Sequence, residues 1–117
     1  PDTDPNRLLT LTKTQIGDRP AGRRPHDCPV LQASRAAQKA LGIELTNYGA
    51  SSTDANIAVC MGVPSTCLSA GGVQMNCHTT DEYFIRRDIH LGPQMIFLTL
   101  LGLSGYKDVA PILPKRA

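Results

Sequence analysis

An α/β fold is predicted for this chain, with helices layered on a small mixed sheet. Three observations lead there. Segments with an apolar stripe of helical period alternate with short β-branched or alternating segments, in the order helix–strand–helix–strand–helix. Glycine or proline punctuates most of the changes between them. Finally, 41% hydrophobic residues over 117 positions suffice for the core of one domain, and with 4% aromatic residues and no Trp that core is mostly aliphatic.

The elements follow in order. Residues 7–16 (RLLTLTKTQI) alternate through Leu9, Leu11 and Lys13 with threonines between, which predicts a strand exposed on one face. Residues 17–25 (GDRPAGRRP) form a Pro/Gly/Arg loop, the best candidate for a boundary. Asp27 offers an N-cap oxygen, and Pro29 sits in the first turn, where its missing N–H costs nothing. The helix that follows runs to about Leu41, with Val30, Ala33, Ala37 and Leu41 on one side and Gly42 as its stop. Residues 43–47 read as a second strand. Ser51, Ser52 and Thr53 are all N-cap types, and Asp54 suits the positive end of a short helix that Gly62 ends and Pro64 keeps from extending. Residues 65–69 read as a short strand, and Ala70-Gly71-Gly72 as a turn whose backbone can approach a ligand closely. Gly92-Pro93 opens a final helix over residues 93–103. Its apolar residues surround the axis, so it is expected to be buried rather than amphipathic. Gly105 closes it, and the tail is expected to be irregular.

Composition excludes several classes of function. A net charge of +2 is too small to imply nucleic acid or an acidic membrane as partner. The chain has no apolar run of about 18 residues to span a bilayer. The first residues, PDTDPNRLL, lack the basic start and apolar core of a signal peptide. A cytoplasmic location is therefore expected, and an opening on Pro rather than Met is expected of a fragment or a processed product. Cys28, Cys60, Cys67 and Cys77 are irregularly spaced in apolar sequence. They read as buried reduced thiols; the alternative is a zinc site of Cys60, Cys67, Cys77 and His78, although structural zinc sites usually bring their cysteines as close pairs.

His78 follows a strand and a glycine turn, as site residues of α/β enzymes do. A neutral imidazole is a common zinc ligand, and Asp81 or Glu82 is near enough in sequence to fix its tautomer. A hydrogen-bonded loop histidine is the plainer alternative.

The stretch 51–84, SSTDANIAVCMGVPSTCLSAGGVQMNCHTTDEYF, resembles the last active-site segment of the co-catalytic zinc peptidases and deacylases, the group of carboxypeptidase G, peptidase T, aminoacylase and acetylornithine deacetylase. In that group a Gly-Gly turn, then His, a small polar residue and an acidic-aromatic pair mark the last metal ligand. Here these are Gly71, Gly72, His78, Thr79, Glu82 and Tyr83, with Ser52-Thr53-Asp54-Ala55 upstream. Arg19-Pro20-Ala21 is similar to the crossing from the lid domain back to the catalytic domain, where an arginine helps to bind the substrate's carboxylate. A guanidinium fork suits that task, and Arg19 is the matching position, with Arg23 and Arg24 as possible substitutes and a solvated basic loop as the alternative.

The resemblance implies that residues 1–18 are the last strand and exit of a lid or dimerisation domain, and residues 19–117 the C-terminal portion of a zinc-peptidase catalytic domain. It implies a parent hydrolase acting on peptide or N-acyl amide bonds, a metallopeptidase or amidohydrolase with two zinc ions about 3.5–4 Å apart that polarise the scissile carbonyl and activate a water. His78 would be a metal ligand. Arg19, Asp54, Gly71 and Gly72 would bind substrate, with Glu82 behind the histidine; Asp54 as a structural helix-start residue is the alternative, and Asn56 reads as a surface residue of the first turn. The group's early His-x-Asp pair, bridging aspartate and Glu-Glu base do not occur here. The chain alone is therefore expected to hold little or no zinc and to be inactive. Its expected partners are a peptide or N-acyl amino acid substrate in the parent, and either a second copy or the remainder of the catalytic domain. A non-catalytic binding or assembly module, or a small Cys/His zinc module, are the readings from other classes.

Overall fold

The structure is a computed structural model that describes residues 10–44 and 49–113. It is a small mixed α/β protein of three helices and one two-stranded sheet: α1 (Pro29–Ala40), α2 (Ala55–Cys60), β1 (Val73–Met75), β2 (Tyr83–Ile85) and α3 (Leu91–Ser104).

Both predicted helix stops are built in the same way. At the end of α1 the Ile43 N–H donates to the Gln38 carbonyl (2.9 Å) and the Gly42 N–H to that of Lys39 (3.2 Å). At the end of α2, Val63 donates to Ala58 (2.9 Å) and Gly62 to Val59 (3.0 Å). Each pair is a Schellman closure, which needs a left-handed residue after the cap; Gly42 (φ 67°) and Gly62 (φ 76°) supply it without a Cβ clash. Pro29 occupies the first helical position, but the N-cap is Cys28 and makes no side-chain bond, so Asp27 lies one residue too early to cap. Likewise α2 begins after Asp54, with no side-chain cap from Ser51, Ser52 or Thr53.

The core lies between α1 and α3, which pack on each other. The buried side chains are Leu31, Ala33 and Ala37 of α1, Met95 of α3, and Cys28 just before α1. Two hydroxyls are buried among them. Ser34 donates to the Leu31 carbonyl (3.0 Å) and Thr99 to the Met95 carbonyl (2.7 Å), so each is satisfied within its own helix. Small side chains set the spacing: a Cβ on Gly102 would lie 3.8 Å from the Cβ of Ala33. The apolar face of α1 is one position away from expectation, with Leu31 and Ser34 buried in place of Val30 and Leu41.

The sheet differs from the one predicted. Residues 65–69 and the described part of residues 7–16 carry no regular structure, and the predicted strand at 43–47 lies largely outside the described residues. The strands are instead β1 and β2, on either side of the histidine loop, antiparallel with Val73 opposite Ile85, Gln74 opposite Phe84 and Met75 opposite Tyr83. Val-Gln-Met and Tyr-Phe-Ile are rich in strand formers and close enough in sequence to pair as a hairpin, whereas residues 65–69 find no partner among the described residues. The sheet is therefore antiparallel rather than mixed, and among the described elements the helices layer on each other and not on it.

Helix α3 begins two residues before Pro93, whose place in the first turn costs no hydrogen bond. It is not buried all round: Gly92, Met95 and Thr99 are covered, while Phe97 and Leu100 remain 61% and 57% exposed. After Gly105 the chain turns through a Tyr106–Val109 bridge. Ile112 and Leu113 then donate to the Gly102 and Leu103 carbonyls (3.2 and 3.1 Å), covering the end of the helix. No helix of the described residues is long and apolar enough to cross a membrane.

The accessible surface is 9995 Å², against roughly 6,200 Å² for a compact monomer of this mass. The radius of gyration is 20.3 Å, against roughly 13 Å for a compact domain of this length. Much apolar surface, on α3 and on the hairpin, is exposed: Phe97, Leu100, Tyr83 and Phe84 are among its residues.

Candidate functional site

Three groups of residues singled out in the sequence can be followed into the structure. The first is drawn together across the chain. The loop before α1 brings Arg19 to the start of α2, where its Nη1 donates to Ser52 Oγ (3.2 Å) and its Nη2 to Asp54 Oδ1 (3.2 Å). Asn56 fastens the same corner: its Oδ1 accepts the Thr53 N–H (2.9 Å), and its Nδ2 donates to the Pro20 carbonyl (3.4 Å). Arg19, Ser52, Thr53 and Asn56 line one cavity of about 510 Å³. The Arg19 and Asp54 side chains are 45% and 102% exposed. An ion pair so open to water is weak, and its carboxylate is readily exchanged for another.

The second group is the hairpin loop. His78 sits in a left-handed backbone conformation (φ 65°), as does Asn76 (φ 53°). Histidine and asparagine are among the few side chains that occupy this region with any frequency. Glu82 holds the loop closed: its Oε2 accepts the His78 backbone N–H (3.3 Å), and its Oε1 accepts the Gln74 side-chain amide. Thr79 donates its hydroxyl to the Asn76 carbonyl (2.8 Å) and accepts the Asp81 N–H (3.2 Å). The carboxylate of Glu82 therefore fixes the backbone of His78, whereas a bond to its imidazole was the expectation. The imidazole is on the surface.

The third group is the glycine turn. Gly71 (φ 93°) and Gly72 (φ 72°) adopt conformations closed to most side chains. The close approach that they permit is used within the chain: a Cβ on Gly72 would meet the Phe84 ring and, at 3.0 Å, the Ile85 carbonyl oxygen. One on Gly71 would meet the Gly92 nitrogen at 3.0 Å. These glycines line a separate cavity of about 420 Å³ with Arg87, Asp88 and Met95, which shares no described lining residue with the Arg19 cavity; His78 lines neither.

The cysteines depart from expectation. Cys28 is buried, but Cys60, Cys67 and Cys77 are exposed. The described residues contain no group of three or more His, Cys, Asp or Glu that could hold a metal ion. Cys60, Cys67, Cys77 and His78 are thus not assembled as a ligand set among the described residues.

Two positions gain a role that sequence reasoning had not assigned. Asn56 stands three residues after Thr53, and the capping-box spacing was the signal for its bond to the Thr53 N–H. Gln74 meets Glu82 only because the hairpin register places them together, and no local pattern announces that. Comparison with protein-family models, with curated proteins and with solved structures finds no match.

Proposed function

We propose that this chain is part of a hydrolase of peptide or N-acyl amide bonds, one wall of a zinc peptidase or deacylase site whose remaining parts lie outside these residues. The observation that carries the proposal is the meeting of Arg19 with Ser52 and Asp54, across 33 and 35 positions of sequence. Arg19 and Asp54 are positions that the resemblance selects as substrate-binding, on segments with no local reason to touch. Their chemistry suits the role. Arg19 presents a fork to the cavity while Ser52 and a solvent-exposed Asp54 hold it in place. An incoming substrate carboxylate can replace Asp54 at the guanidinium, at little cost, with two parallel bonds.

The pair of zinc ions that the resemblance implies does not find its ligands among the described residues; the chain would offer one nitrogen, from His78. The hairpin places that imidazole at the surface, where a second polypeptide segment can reach it. The apolar surface of α3, with Ile96, Phe97 and Leu100 exposed, would pack against that remainder or against a second copy.

The test is His78→Ala in the longer polypeptide. Zinc content is expected to fall at one site and kcat by several orders of magnitude, with folding nearly unchanged; two retained metals and normal turnover would refute the reading. The chain alone is expected to show no hydrolysis of dipeptides or N-acyl amino acids with added zinc, and to self-associate in sedimentation. A monodisperse monomer would instead favour an independent binding module.

A further inference from the structure

We propose that the cleft between the Pro/Gly/Arg loop and α1 binds a small oxyanion carrying two or more negative charges, of the phosphate or polycarboxylate kind. The cleft has a volume of about 450 Å³, and four separate stretches of chain converge on it: the loop at 22–26, the face of α1 at 31–38, residues 49–50 and residues 66–68. Its lining holds Arg23, Arg24, Arg35 and His26, and no Asp or Glu among the described residues. Arg23 and Arg24 line this concave surface side by side, and a dianion answers such a pair of cationic side chains better than a monoanion does.

The arginines are also oriented. Arg24 Nη2 donates to Thr66 Oγ1 (2.9 Å), which fixes the plane of its guanidinium. Its Nε is buried and has no hydrogen-bond partner among the described residues. A buried donor left unpaired in this way marks a place where an acceptor belongs. Arg35 Nη1 donates to the His26 carbonyl (3.2 Å), which draws α1 to the loop and closes one side of the cleft. Arg24 also lines the Arg19 cavity, but Arg19 does not line this cleft, so the proposal stands apart from the hydrolase reading.

The experiment is titration of the purified chain with inorganic phosphate and with citrate, against acetate and chloride at matched ionic strength. It is followed by nuclear magnetic resonance of the arginine Nε–H groups. The expected result is saturable binding of at least one polyanion with Kd below about 1 mM, centred on Arg24. The monovalent controls should bind at least about tenfold more weakly, and Arg24→Gln should raise Kd by about tenfold or more. A preference for phosphate or for citrate identifies which oxyanion class the cleft takes. Shifts spread evenly over all basic side chains in the unaltered chain would overturn the proposal, as would a folded Arg24→Gln variant that binds as well as its parent.

Discussion

Gly92 and Gly102 lie in the same helix, and substitution of each by Ala should move stability in opposite directions. In a helix, Ala is favoured over Gly by up to about 1 kcal/mol, because the glycine backbone loses more freedom on folding. At Gly102 the new methyl would meet nothing nearer than Ala33 and Ile112, each at 3.8 Å, which is ordinary contact. Gly102→Ala should therefore stabilise by about 0.5–1 kcal/mol. At Gly92 the methyl would run into the carbonyl group of Ala70 and the nitrogen of Gly71. These are backbone atoms, so no rotamer change relieves the overlap, and either the turn or the start of α3 must shift. Overpacking of this kind costs about 1–3 kcal/mol, and the second helical position recovers little of the propensity gain. The expected net loss for Gly92→Ala is about 1–3 kcal/mol, or roughly 4–8 °C in Tm for each kcal/mol. Urea and thermal unfolding followed by far-ultraviolet circular dichroism measures both variants against the parent. Gly92→Ala at or above parent stability would mean that the glycine turn does not rest on α3, and the placement of Gly71 and Gly72 would fall with it.

Met95, 3% exposed between α1 and α3, should cost about 2–4 kcal/mol as Met95→Ala; in a core this small, the helical signal at 25 °C should fall visibly, and an unchanged urea midpoint would remove Met95 from the core. His78→Gly should stabilise the hairpin by about 0.5–1 kcal/mol, the relief of a left-handed non-glycine backbone less the extra chain entropy of glycine. Slower amide exchange in residues 73–85 would show it, and faster exchange would contradict it. Titration with a thiol reagent under native conditions should find Cys60, Cys67 and Cys77 reacting at once and Cys28 only as the chain unfolds; four equally fast thiols would place Cys28 outside the core.

What the sequence by itself determined is what neighbouring residues decide. Pro29 opens α1, Gly42 and Gly62 close two helices with the same pair of bonds, and the run after Gly92 is helical, because sterics and backbone hydrogen bonding within a few residues settle each of these. The three-residue step from Thr53 to Asn56 belongs with them. Tertiary structure decided the rest. A strand exists only where a second strand accepts its hydrogen bonds, so residues 73–75 and 83–85 became the sheet while residues 65–69 did not. Burial depends on what lies opposite, so α3, apolar on all sides, is covered among the described residues where α1, the glycine turn and residues 112–113 reach it. For the same reason Cys28 is enclosed while Cys60, Cys67 and Cys77 are open. The contacts of Arg19 with Ser52 and Asp54, and of Arg24 with Thr66, join segments more than thirty residues apart. No local propensity encodes such contacts; they appear when the loop before α1 closes over the start of α2.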